Sequence, residues 1–135
     1  DYDNFNADFD GTIMTIKNCH LTGFDYGISI DPTDCSGCSD ITWVFENNTF
    51  GGNKYDFYSS GGLGGGGAVI IRDNQFQNLT YSGVGNAIHM SSGGSNAEVY
   101  NNEFIGKSGT AYGLVLYSLR IDIYNNTFND SSLSF

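Results

Sequence analysis

Four stretches of this chain end alike: Trp43-Val-Phe-Glu-Asn-Asn-Thr-Phe50, Val69-Ile-Ile-Arg-Asp-Asn-Gln-Phe76, Ala97-Glu-Val-Tyr-Asn-Asn-Glu-Phe104 and Ile121-Asp-Ile-Tyr-Asn-Asn-Thr-Phe128. A fifth, Met14-Thr-Ile-Lys-Asn-Cys-His-Leu21, keeps the pattern with Leu in the last place. The closing residues recur at intervals of 29, 26, 28 and 24. A constant segment at variable spacing is what stacked units joined by variable loops produce.

Aligned on the closing residue, the segments sort into faces. Seven places before it stand Met14, Trp43, Val69, Ala97 and Ile121, and five places before it Ile16, Phe45, Ile71, Val99 and Ile123. Both rows are apolar. The intervening row reads Thr15, Val44, Ile70, Glu98 and Asp122, and the next reads Lys17, Glu46, Arg72, Tyr100 and Tyr124. An apolar period of two predicts a strand with one face in a core. Two places before the end, Asn48, Asn74, Asn102 and Asn126 form a row. Asn tolerates the left-handed backbone region, so this row is the expected turn position, and stacked carboxamides can bond in a ladder. Phe50, Phe76, Phe104 and Phe128 are expected to stack beside it.

Each segment is accompanied by a second apolar strand: Gly27-Ile-Ser-Ile30, Tyr55-Asp-Phe-Tyr58, Ala87-Ile-His-Met90 and Gly113-Leu-Val-Leu116. At least two strands, an Asn turn and a loop per unit predict an all-β, right-handed parallel β-helix of about five coils, on the order of 24 Å long at ~4.8 Å per coil. Residues 1–135 then form one domain, with an acidic segment over 1–11 and repeats over 12–130. The Gly-Ile-x-Ile and Ile-x-Asn-Asn-x-Phe elements resemble the parallel β-helix repeat family, across nearly the whole chain. That family holds pectin-degrading enzymes, sugar epimerases, phage tailspikes and bacterial surface proteins, so the resemblance implies a fold and leaves the activity open. The run Gly61 to Gly67 followed by Ala68-Val-Ile-Ile71 resembles motifs of bacterial surface adhesins.

Composition narrows the function classes. Hydrophobic content of 39% with 15% aromatic residues argues against disorder. Fifteen acids against five bases give a net charge of −10, which repels nucleic acid. No stretch approaches the ~18 apolar residues of a membrane-spanning helix. The chain does not begin with Met, as expected of a mature or excised segment.

The candidate sites are few. Asn6-x-Asp8-x-Asp10-Gly11 matches half of an EF-hand loop, but the required twelfth-position Glu falls on Lys17; Asp8 and Asp10 are left as weak Ca²⁺ candidates, and no other cofactor is implied. Cys35-Ser-Gly-Cys38 suggests a loop disulfide, or Cys19 paired with one of the two, in an extracellular or cell-surface protein. N-glycosylation triplets begin at Asn47, Asn78, Asn125 and Asn129. Asn78 and Asn129 lie in turns and could carry a glycan, whereas Asn47 and Asn125 share parity with the core rows and are expected inside. His20 and His89 are expected at the surface, with no nucleophile beside them. Arg72, flanked at neighbouring levels by Glu46 and Tyr100, reads as an ion pair rather than a base. Tyr100 and Tyr124, stacked outward, could hold a sugar ring or a partner. No catalytic constellation stands out, and neither terminus carries a capping helix. These features point to a structural module stacking end to end through its own coils, with a carbohydrate-binding or Ca²⁺-dependent polysaccharide-processing domain as the alternative.

Overall fold

In a computed structural model the chain forms a solenoid of parallel strands, described over residues 12–30, 41–59, 67–77, 86–90, 96–106, 112–116 and 120–129. The described residues contain strands and turns only. Three strands make up a coil, meeting the expected minimum of two. Sheet A is built from β1 (Ile13–Lys17), β4 (Thr42–Glu46), β7 (Ala68–Arg72), β10 (Asn96–Tyr100) and β13 (Arg120–Tyr124). Sheet B holds β2 (His20–Thr22), β5 (Thr49–Gly51), β8 (Gln75–Gln77), β11 (Glu103–Ile105) and β14 (Thr127–Phe128). Sheet C holds β3 (Tyr26–Ile30), β6 (Tyr55–Ser59), β9 (Asn86–Met90) and β12 (Tyr112–Leu116).

The rows found by alignment are the rows of the ladder. Met14, Trp43, Val69, Ala97 and Ile121 are successive Cα partners, as are Ile16, Phe45, Ile71, Val99 and Ile123. All of them except Met14 and Ile123, which are exposed at the two ends of the stack, pack with Ile30, Phe57, Ile88, Met90 and Leu114 of sheet C in one contiguous core. The Phe row stacks face to face: Phe50 on Phe76 at 5.0 Å, Phe76 on Phe104 at 4.9 Å and Phe104 on Phe128 at 4.7 Å.

The turn between sheets A and B differs from expectation. The left-handed backbone falls one residue earlier, on Asn18, Asn47, Asp73, Asn101 and Asn125, with φ between 53° and 58°. These residues are exposed, so Asn47 and Asn125 lie outside the core, contrary to the parity argument. The strand ends at this residue, and period two no longer applies beyond it. The following row, Asn48, Asn74, Asn102 and Asn126, turns inward and forms the ladder. Asn74 Oδ1 accepts from the Asn48 backbone N–H at 2.9 Å and from Asn48 Nδ2 at 3.1 Å, while Asn74 Nδ2 donates to Phe45 O at 2.9 Å. The same bonds repeat from Asn74 to Asn102 and from Asn102 to Asn126. Such closure satisfies buried backbone groups that the corner would otherwise strand.

The turn between sheets B and C is built by Gly52, at φ 65°, and the buried Asn53. Asn53 Oδ1 accepts from Phe24 N–H at 2.8 Å, and its Nδ2 donates to Leu21 O and Asp56 Oδ1, both at 2.8 Å. Sheet C then breaks alternation, because Asp56 and Phe57 are both buried, as are Ala87 and Ile88. Gly27 sits where Asp56 crosses this bend, and a Cβ there would lie 2.6 Å from Asp56 O.

Candidate functional site

The outward face of sheet A carries three columns set by the pleat. Its C-terminal half gathers the polar members: Asn96 beside Arg120, Glu98 beside Asp122 and Tyr100 beside Tyr124. The short Ala68 at the next level leaves space, so a concavity of about 440 Å³ opens here, lined by Ala68, Asn96, Ala97, Glu98, Arg120 and Asp122. Arg120 has no ion-pair partner among the described residues. Beyond the lining of the hollow, at the C-terminal edge of these strands, stands the tyrosine pair, whose rings lie 4.8 Å apart and 5° from parallel.

Neighbouring side chains set the charge of that edge. Arg72 Nε donates to Glu46 Oε2 at 3.0 Å, its Nη2 pairs with the same oxygen, and its Nη1 donates to the Tyr100 hydroxyl at 3.2 Å. The Tyr100 hydroxyl and the Glu46 carboxylate hold the guanidinium further into its charged range. Arg72 is thus committed, as its row neighbours implied. The Tyr124 hydroxyl donates to Glu98 Oε2 at 3.4 Å. Partial desolvation first, then the fields of Glu98 and Tyr100, raise the Tyr124 phenol above its ordinary value. Among the described residues no third acid, His or Cys joins Glu98 and Asp122 in a cluster that could hold a metal.

A second aromatic surface escaped the sequence reading, which took Tyr55 to Tyr58 as an apolar strand. The bend at Asp56 turns both tyrosines outward. Tyr26 stacks on Tyr55 at 5.3 Å and 9°, Tyr58 leans on both at 5.0 and 5.1 Å, and His89 stacks on Tyr58 at 5.1 Å. Lys54 Nζ lies 5.6 Å above the Tyr55 ring. Burial lowers the His89 imidazole below its usual range. The 29-residue separation of Tyr26 and Tyr55, equal to the first repeat interval, was the available signal. The rings fill one another's faces at these separations, leaving no cage between them.

The remaining candidates are dispersed. Cys19 stands in the Asn row as a free thiol, its Sγ donating to Lys17 O at 3.4 Å. Cys35, Cys38, Asp8, Asp10 and Asn78 lie outside the described residues. Asn129 is exposed, and its Nδ2 donates to Glu103 Oε1 at 2.6 Å. His20 is exposed on β2.

No curated protein and no solved structure matches the chain. The family described as "Right handed beta helix region" matches residues 5–134. With three in-register parallel sheets and that match over nearly its full length, the chain belongs to the right-handed β-helix family.

Proposed function

We propose that this chain is a non-enzymatic β-helix module of an extracellular or cell-surface protein, and that the hollow on sheet A binds carbohydrate. The observation that carries this reading is an open concavity of about 440 Å³ lined by carboxylate, carboxamide and guanidinium groups, with a phenol stack further along the same strands joined to its lining through the Tyr124–Glu98 hydrogen bond. A pyranose has an apolar C–H face and a rim of hydroxyls that both donate and accept. The Tyr100–Tyr124 stack offers the apolar face a partner, Glu98 and Asp122 accept from hydroxyls, and Arg120 donates to them. The net charge of −10 and the paired acids disfavour polyuronates, so the ligand class is a neutral oligosaccharide.

The test is titration calorimetry against a panel of neutral and uronic oligosaccharides, repeated with Tyr124→Ala and Asp122→Asn. Binding of neutral members, weakened roughly tenfold or more in each variant, is the expected result. Absence of binding across the panel, or binding that ignores both substitutions, removes this reading.

A second reading, end-to-end assembly of the solenoid, draws support from the ladder itself. Its rung-to-rung hydrogen bonds point one way, each rung donating to the carboxamide oxygen of the following coil. A further coil of matching chemistry would extend it without rearrangement.

A further inference from the structure

We infer that Tyr100 and Tyr124 form an oxidative coupling site, at which a haem peroxidase with hydrogen peroxide joins the two rings through an ortho–ortho carbon bond and staples the last two coils together. This inference stands apart from the carbohydrate reading, since it concerns the two phenols alone.

Geometry comes first. Tyr100 and Tyr124 are Cα partners in a parallel ladder, so neither ring can drift away along the sheet. Their centroids are 4.8 Å apart and the planes 5° from parallel, so the two rings face one another as a stacked pair. Tyr124 is 43% exposed, so an oxidant reaches it from solvent. Rotation about the side-chain bonds of an exposed residue brings the carbons into bonding range without disturbing the strands.

Each hydroxyl also has a defined hydrogen-bond neighbour. The Tyr124 hydroxyl donates to Glu98 Oε2, so the carboxylate can take the proton as the electron leaves. Because that phenol titrates high, it reacts from its protonated form and needs such an acceptor. The Tyr100 hydroxyl accepts from Arg72 Nη1 at 3.2 Å, which holds the ring in place over Tyr124. The competing pair, Tyr26 and Tyr55, lies at 5.3 Å with Tyr58 pressed against both rings. Neither of its hydroxyls hydrogen-bonds a carboxylate among the described residues.

The step balances. Each phenol gives up one electron and one proton, the two radicals couple at ortho carbons, and two ring hydrogens migrate to restore both phenols. Hydrogen peroxide accepts the two electrons and two protons and leaves as two waters. The product is lighter than the chain by two hydrogens. It closes a loop of about two dozen residues around the fifth coil, whose Ile123 is 42% exposed. Cross-links of that span raise the melting temperature by roughly 5–10 °C.

The experiment treats the dilute chain with a haem peroxidase and limiting hydrogen peroxide, then reads dityrosine fluorescence, intact mass and the cross-linked peptides. A monomer lighter by two hydrogens, with Tyr100 and Tyr124 in one linked peptide pair, is expected. Yield falls at least tenfold in Tyr100→Phe and Tyr124→Phe, variants that keep the stacked rings, and persists in Tyr26→Phe. Glu98→Gln slows coupling several-fold. Linkage mapped to Tyr26, Tyr55 or Tyr58, linkage only between chains, or no dityrosine at all overturns the inference.

Discussion

At the scale of single residues, the two adjacent Asn rows do opposite work. Asn47 takes a left-handed backbone at the surface, whereas Asn48 is buried and closes hydrogen bonds between coils. Substituting Asn74 by Ala would strand the Asn48 N–H and the Phe45 carbonyl, both of which now bond its carboxamide. Loss of these bonds in a buried site is expected to cost about 2–4 kcal/mol in urea unfolding. Asn47→Gly, by contrast, fits the positive φ and should change stability by only a few tenths of a kcal/mol, while Asn47→Val should cost roughly 1–2 kcal/mol. The dipeptide alone does not say which Asn turns outward. The first coil does: its row carries Asn18 then Cys19, and Asp73 replaces Asn only in the outward row. Asp is at home in left-handed turns and Cys is not, so the assignment was legible in those two departures.

At the scale of elements, sheet A was readable from alternation and sheet C was not. Its bend buries Asp56 and Phe57 side by side, and an acid between Tyr55 and Phe57 looks like an outward residue in a plain strand. The Asp56 carboxyl is fully buried, with Oδ1 bonded to Asn53 and Oδ2 lacking any hydrogen-bond partner. Burial pushes this group up from 3.8 to about 8, against the opposing effect of the Asn53 hydrogen bond. The unfolded chain releases the proton near 3.8 and the folded chain holds it to about 8, so the folded state binds more protons in between. The contribution is therefore fully present below the unfolded value and is lost as pH rises through the folded one. The expected slope is roughly 1.4 kcal/mol per pH unit across that window. Thermal melts from pH 4 to 9 should show it, and Asp56→Asn should flatten it while matching or exceeding the parent at pH 7. The close approach at Gly27 belongs to the same bend. Gly27→Ala must displace the Asp56 carbonyl, which is backbone and has little room to yield, so a loss of about 2–3 kcal/mol is expected in urea unfolding.

At the scale of the whole molecule, the chain is a one-dimensional stack whose burial falls away from the middle. Phe76 and Val69 are completely covered, while Ile13 in the first coil is 67% exposed. The candidate site follows from this geometry: single polar residues on different coils become neighbours only when the register is known, and the empty space above Ala68 depends on a side chain's size rather than its type. The direction of the Asn ladder adds a consequence for assembly. Cys19 stands at the first rung, and its backbone N–H donates to Asn48 Oδ1 at 2.9 Å. No earlier rung among the described residues requires a carboxamide there, so Cys suffices. If copies stack head to tail, the Asn126 N–H and Nδ2 of one copy meet the Cys19 of the next, and a thiol is a poor acceptor for both. Cys19→Asn would supply the missing Oδ1 together with a donor for the carbonyl below. In the isolated chain that new carboxamide faces solvent, so monomer stability should change little. Stacked copies would gain three hydrogen bonds per junction, tightening association roughly tenfold or more. Sedimentation velocity and electron microscopy over a concentration series would show the shift as longer oligomers in the variant. Equal association of parent and variant would mean that the coils do not continue from copy to copy through this row.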